Sequence, residues 1–469
     1  MANNQFAKNT LSIMLVRIIS VSATLFLTYF LSHKLSVAQF GTITSFWVQT
    51  VMAVTIAGLG LPVFVFTYSR QKLGQLLAAL PQAYKLYFGG WIGVASAVFA
   101  GIQLSSNTLF APDIASFFCL ALFFAVTTMG LLLDALSIIY GYYQRLIFAA
   151  VCYNAWYIIL YVLYYRGTIG PDLLLAALTG NAILKVILLS RQVFKAHQPA
   201  GDISFLSLKS HWLSTGLYDV SQNVVKYLDK FILSFLVGKE ALAAYTNLTT
   251  EIPVFALVFA SVKSSTSIYL AHSARNERHI GRYLRAAGRL LGYFIFPSVF
   301  FIGMFAPDII TMVFSEKYLG GIALFLVALL KLPNYNFMFS AVLQYYEKGH
   351  IVHKGVWVDT LVSLVLVFPL YYCMGLSGIV LSMVISTYCQ NFYYGNALRK
   401  IMNTSWTAIL PLRSWMIQAG VFAGLSAGLW YILNQTDLHY MARLSIAFAV
   451  MAPLSLWGIY RTYRQIKRF

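Results

Sequence analysis

Long apolar runs alternate with short polar clusters from one end of this chain to the other. A helix that crosses a bilayer needs about 20 mostly apolar residues. Runs of that kind fall at 11–32, 40–66, 84–104, 113–133, 147–165, 171–190, 215–237, 241–265, 288–313, 320–341, 355–374, 376–397, 411–433 and 439–459. The pattern predicts an all-α polytopic membrane protein with about 14 transmembrane helices. Twelve is the alternative, in which the last pair is not counted. The polar residues 1–10 are followed by a run too long for a signal-peptide core, and it carries Arg17. It is read as a retained first helix.

Composition agrees. Of the 469 residues, 59% are hydrophobic and 10% charged, and the mean hydropathy is +0.73. A soluble domain is about a quarter charged, so too little polar surface is present to coat a water-soluble globule. The net charge of +19 does not point to nucleic acid. The basic residues sit in short clusters between apolar runs, not as a stripe on a polar domain.

Those clusters orient the chain. With the N-terminus inside, the inner loops hold Lys8; Arg70, Lys72 and Lys85; Arg145; and Arg191, Lys195 and Lys209. They continue with Arg275, Arg278, Arg282, Arg285 and Arg289; Lys348 and Lys354; Arg399, Lys400 and Arg413; and Arg461, Arg464, Lys467 and Arg468. The outer set is Lys34, Arg166, Lys239, Lys317 and Arg443. A bias of about four to one places both termini in the cytoplasm.

The chain also reads as two related halves. A helix with Arg17 leads to Leu35-Ser-Val-Ala-Gln-Phe40-Gly41, and one with Lys226 and Lys230 leads to Val237-Gly-Lys-Glu-Ala-Leu-Ala-Ala-Tyr245. Each has a short outer turn, an aromatic and a long apolar helix. A six-helix unit repeated in one orientation would place a site between the halves.

Ionisable side chains inside a bilayer are costly and usually face a cavity or a partner. On the seventh run Asp219, Asn223, Lys226 and Lys230 lie at offsets of 4, 7 and 11 residues, which is one helix face. Asp229 lies on the same run. One reading is a helix lining a hydrated cavity. The other is a packing face closed by internal ion pairs. Glu251 and Lys331 fall near mid-membrane, with Pro253 and Pro333 just after them, as at helix breaks that line cavities. Arg17, Asp134, Lys185, Lys263 and Asp359 lie nearer the inner ends. For Lys185 and Lys263 the expectation is snorkelling to the cytoplasmic interface. Arg17, Lys226, Lys230 and Lys331 outnumber the acids at similar depth, which suits an anionic substrate.

Tyrosine clusters such as Tyr140-Gly-Tyr-Tyr and Tyr153-Asn-Ala-Trp-Tyr157 fit an interfacial belt, and aromatic faces also stack on sugars. Cys119, Cys152, Cys373 and Cys389 fall in apolar runs without metal-ligand spacing and read as small buried hydrophobes. His350 and His353 read as a solvated loop pair. No P-loop, H-E-x-x-H or nucleophile elbow occurs. No catalytic residue, cofactor or metal is expected, and the protein is not expected to be an enzyme.

The stretch Asp229-Lys-Phe-Ile-Leu-Ser-Phe-Leu-Val-Gly238-Lys-Glu-Ala-Leu-Ala-Ala-Tyr245 resembles the helix-seven-to-eight junction of Wzx-type polysaccharide flippases. These belong to the multidrug/oligosaccharidyl-lipid/polysaccharide exporter superfamily. Leu35-Ser-x-x-x-Phe40-Gly41 resembles that family's first junction. Ala243-Ala244 stands where a glycine is common. The resemblance implies six-helix bundles at residues 1–200 and 201–400 around a central lumen, with two further helices and a basic tail at 401–469. It implies the bacterial inner membrane and alternating access. The implied substrate is an undecaprenyl-diphosphate-linked oligosaccharide for O-antigen, lipopolysaccharide or capsule biosynthesis.

On this reading Arg17, Lys226, Lys230 and Lys331 bind the diphosphate and glycan. Asp219, Asp229, Glu251 and Asp359 are candidate coupling or cavity acids for H+ or Na+. Membrane lipid and other polysaccharide assembly proteins are expected partners, and nucleic acid is not. A cation-coupled multidrug antiporter of the same superfamily is the first alternative, although it would favour an acid-dominated cavity. A membrane-embedded glycan polymerase or glycosyltransferase is the second, although no outer loop is long.

Overall fold

The structure, a computed structural model, describes residues 2–65, 73–75, 82–193, 205–249, 277–346 and 348–466, and positions 255, 258, 259, 262, 266 and 270. The described residues contain helices and no strand. Ten helical stretches among them are long and apolar enough to cross a membrane. The protein is an all-α polytopic membrane protein. All but one of the other expected spans are helices of 26 to 33 residues. The eighth begins as a helix at Lys239–Thr249 and continues into residues largely outside the described set.

The chain divides into two compact units, Met1–Ala244 and Tyr245–Phe469. The first begins with α1 (Ala2–Lys34), α2 (Val37–Gly58) and the short α3 (Leu61–Val65). It continues with α4 (Gln82–Ser106), α5 (Ile114–Tyr140), α6 (Tyr143–Tyr165), α7 (Pro171–Val193), α8 (Phe205–Leu236) and the start of α9 (Lys239–Thr249). α2 is the central helix. Two-thirds of its most apolar window is buried, and it packs on α4, α5 and α8. α1 lies on α6, α7 lies on both α5 and α6, and α3 meets α8.

Local chemistry sets the helix ends. Ser36 caps α2 in a reciprocal capping box with Gln39. Asp113 caps α5 by accepting the Ser116 N–H at 2.7 Å. That bond holds the Asp113 carboxyl below the usual carboxylate range. α2 stops where Leu59 and Gly60 turn left-handed, so the expected second span is two helices.

The two junctions singled out in the sequence meet each other. A Cβ added at Gly41 would lie 1.9 Å from the Lys239 carbonyl oxygen, so only glycine lets α2 approach the α8–α9 turn this closely. Gly41→Ala is expected to cost about 1–3 kcal/mol of strain, because backbone has to move. Thermal unfolding of the purified protein measures it. Gly89→Ala, where nothing lies within 4 Å, is the control and should be neutral or stabilise by about 0.5–1 kcal/mol. Equal unfolding temperatures for Gly41→Ala and wild type would remove the argument.

The second unit contains α10 (Glu277–Met304), α11 (Ala306–Val313), α12 (Ile322–Leu329) and α13 (Phe339–Tyr345). It continues with α14 (Gly349–Met374), α15 (Leu376–Ile401), α16 (Trp406–Ile409), α17 (Leu412–Asn434) and α18 (Tyr440–Ile466). α10 packs on α17 and α18, and α14 packs on α15. Trp415 donates its indole N–H to the Gly288 carbonyl at 2.8 Å, and Gln418 donates to the Arg289 carbonyl at 3.0 Å. Two expectations are corrected here. Residues 277–287, an inner loop on the sequence pattern, form the first turns of α10. The ninth span ends at Met304, and α11 follows with Pro307 in its first turn.

Candidate functional site

α8 carries the charge stripe. Lys226 is exposed and Lys230 half-buried. Their Nζ atoms stand 5.8 and 5.9 Å from the centroid of the Tyr227 ring. Two ammonium groups sharing one ring concentrate positive charge at one point of the helix. A cation–π contact at such a site is worth about 0.5–1 kcal/mol, so the ring does not neutralise the pair. Asp229, three positions after Lys226 and next to Lys230, is 7% exposed. Of the remaining candidates in the first unit, Arg17 and Asp219 lie on α1 and α8, with side chains outside the described residues. Glu251 and Lys263 also lie outside them.

The inward face of α8 joins a polar network on α2 and α4 that sequence reasoning missed. Gln49 is fully buried and donates to Ser106 Oγ at 2.8 Å and to Ser234 Oγ at 3.4 Å. Lys239 donates to the Ser106 carbonyl at 3.1 Å and to Ser45 Oγ at 3.4 Å. It is an outer-loop charge on the sequence pattern, yet it is half-buried. Burial lowers its pKa below the ordinary value. The unfolded chain binds the proton more tightly, so this group's contribution to stability rises as pH increases through the lowered pKa. Gln49, a polar amide inside an apolar run, was the available signal.

In the second unit the tenth span is broken. α12 stops at Leu329, a 3₁₀ turn runs from Leu332 to Asn336, and α13 resumes at Phe339. Pro333 lacks the N–H that would continue the helix. Tyr388 donates to the freed Leu330 carbonyl at 3.1 Å, and Asn391 donates to Asn334 Oδ1 at 3.1 Å. Lys331 sits at the break, half-buried. Asp359 on α14 accepts from Ser386 Oγ at 2.6 Å and interacts electrostatically with Lys331. Lys331 and Asp359 thus lie within electrostatic range of each other near a discontinuous helix. Breaks of this kind in membrane proteins are tolerated where they are buried in protein or line a cavity.

Other expectations change. Lys185 does not snorkel: its Nζ lies 2.6 Å from Asp134 Oδ2 and 5.1 Å from the Tyr153 ring centroid. Three tyrosines of α6 pack inside the unit. Tyr153, Tyr157 and Tyr161 pack in a column, and the Trp47 indole N–H donates to Tyr161 Oη at 2.8 Å. Tyr157 and Trp47, with Leu27, Phe46, Val51 and Phe123, line a cavity of about 230 Å³ in the first unit. Cys119, Cys152 and Cys389 are half-buried and Cys373 is exposed. Arg443, in the outer set, pairs with Asp308 at 2.5 Å.

No protein-family model matches the chain, and no curated protein matches it by sequence. Solved structures do match. A lipid II flippase, MurJ, in an inward closed conformation superposes with a TM-score of 0.71 at 14% identity, over 98% of this chain and 99% of that one. A point mutant of the Vibrio cholerae MATE transporter VcmN gives 0.55 at 12% identity, over 86% and 98%. An outward-facing multidrug resistance MATE family transporter of the MOP superfamily gives 0.55 at 17% identity, over 85% and 95%. The chain thus has the fold that these transporters share.

Proposed function

We propose that the protein is a flippase for undecaprenyl-diphosphate-linked oligosaccharide repeat units in the bacterial inner membrane. It would serve O-antigen or capsule assembly with both termini cytoplasmic. The observation that carries this is the pair of lysines converging on Tyr227 of α8, a cationic point on a membrane helix. The fold shared with a lipid II flippase supports a lipid-linked substrate, and the motifs at the two junctions support an oligosaccharide one.

In this reading the six-helix bundles are residues 1–200 and 201–400, with 401–469 appended. Lys226, Lys230, Lys331 and Arg17 neutralise the diphosphate. Asp219, Asp229, Glu251 and Asp359 are the candidate coupling or cavity acids for H+ or Na+, with Glu251 or Asp219 as the protonated group. Asp359, within electrostatic range of Lys331 near the broken helix, would tie ion binding to the substrate cation. Other polysaccharide assembly proteins would receive the flipped product.

The test is genetic. Deletion of the gene in its own host should abolish surface polysaccharide on a blot, and the wild-type copy should restore it. Intact polysaccharide together with altered drug tolerance would instead favour a multidrug antiporter.

A further inference from the structure

The break in the tenth span knots together four polar side chains of the second unit. The Asn334 backbone N–H bonds the Lys331 carbonyl at 3.1 Å, so the two residues sit one 3₁₀ turn apart. Tyr388 of α15 donates to the carbonyl of Leu330, the neighbour of Lys331. Asn391, one turn further along α15, donates from Nδ2 to Asn334 Oδ1 and to the Thr387 carbonyl, both at 3.1 Å. Those two bonds orient the Asn391 amide and leave its Oδ1 as an acceptor. They orient Asn334 too, because its oxygen is taken and its Nδ2 is left as a donor.

Asn334 is 6% exposed, and its Nδ2 has no hydrogen-bond partner among the described residues. The break itself does not call for that donor, since Tyr388 already meets the Leu330 carbonyl. A donor buried without a partner is costly, and an acceptor brought by a ligand removes the cost. Lys331, Tyr388 and Asn391 are half-buried, so each keeps an accessible edge. The cluster therefore holds a cation, an aromatic ring, one fixed donor and one fixed acceptor. A bare phosphate cannot donate to Asn391 Oδ1, and a metal cation is repelled by Lys331. A sugar joined to a phosphate meets every group. Its hydroxyls both give and accept hydrogen bonds, its C–H face packs on an aromatic ring, and the phosphate faces the ammonium.

We propose that Tyr388, Asn391 and Asn334 form the subsite for the sugar directly joined to the diphosphate. The Tyr388 ring lies under the sugar, Asn391 Oδ1 accepts from it and Asn334 Nδ2 donates to it. This rests on the reading of Lys331 as a diphosphate-binding cation.

Native mass spectrometry of the full-length protein tests it, with undecaprenyl diphosphate offered bare or carrying one glucose or one N-acetylglucosamine. Two net hydrogen bonds are worth about tenfold in affinity. Wild type should prefer a glycosylated form over the bare lipid by about that factor, and Asn391→Leu should lose the preference. Lys331→Gln should weaken all three lipids alike and keep the ratio. Tyr388→Phe loses the bond to Leu330 but keeps the ring, so it should keep the preference, whereas Tyr388→Leu should lose it. The Tyr388 pair carries the test if Asn391→Leu does not fold. A preference that survives in both leucine variants overturns the proposal. Equal binding of the three lipids by wild type also overturns it, and leaves the amides as supports of the break. Wild type that binds none of them overturns the diphosphate reading, and the subsite with it.

Discussion

Lys185→Met is expected to destabilise the first unit by about 3 kcal/mol, near the lower end for breaking a buried ion pair. The Lys185 and Asp134 side chains are 15% and 24% exposed, so water screens little of their attraction. Removing the ammonium leaves the Asp134 carboxylate between α5 and α7 without its counter-charge. Asp134→Asn should cost a similar amount by stranding Lys185 against the Tyr153 ring. The double variant Asp134→Asn/Lys185→Met should recover to within about 1 kcal/mol of wild type, since a pair removed together leaves no buried charge. Unfolding of the purified variants in detergent reads the cycle. Additive losses in the double variant would show that the two side chains act separately. α5, which carries Asp134, packs on α2, and α2 packs on α8, the helix that bears Lys226 and Lys230.

Lys226→Ala/Lys230→Ala is expected to reduce transport by about a hundredfold. Losing cations that pair a desolvated diphosphate costs a few kcal/mol, and each 1.4 kcal/mol or so is a factor of ten. The contacts to Tyr227 are worth about 0.5–1 kcal/mol each, so thermal unfolding of the variant is read alongside transport. Arg at both positions keeps the charge and should retain more activity than alanine. A double-alanine variant that unfolds at the wild-type temperature yet has lost transport separates a binding role from a packing one. Full transport by the double variant contradicts the role given to these lysines.

The expected spans were legible because a bilayer demands long apolar runs, and the fourteen fall largely on helix where the chain is described. Pro333 announced the break in the tenth span. The breaks at Leu59–Gly60 and Phe305 had local signals too, Gly60 with Pro62 and Pro307, which the length of the apolar runs masked. The charges were harder. A sequence shows that Lys185 is charged and near an end, but not that α5 presents Asp134 to it. Likewise the α6 tyrosines form a column because Trp47 of α2 faces them, a long-range contact with no local signature. Lys226 and Lys230 were legible as a pair because four residues bring side chains to one face of a helix. Gly41 was visible as part of a motif. Its reason, the Lys239 carbonyl against its Cα, lies 198 positions along the chain.

The central claim is tested most directly in proteoliposomes. The protein is reconstituted with an undecaprenyl-diphosphate oligosaccharide whose glycan carries a fluorophore, and a membrane-impermeant quencher reports which leaflet the glycan occupies. A flippase makes inner-leaflet label accessible at a rate that falls about a hundredfold in Lys226→Ala/Lys230→Ala. Label that stays protected in wild-type vesicles, or that crosses equally fast with the double variant, contradicts the account.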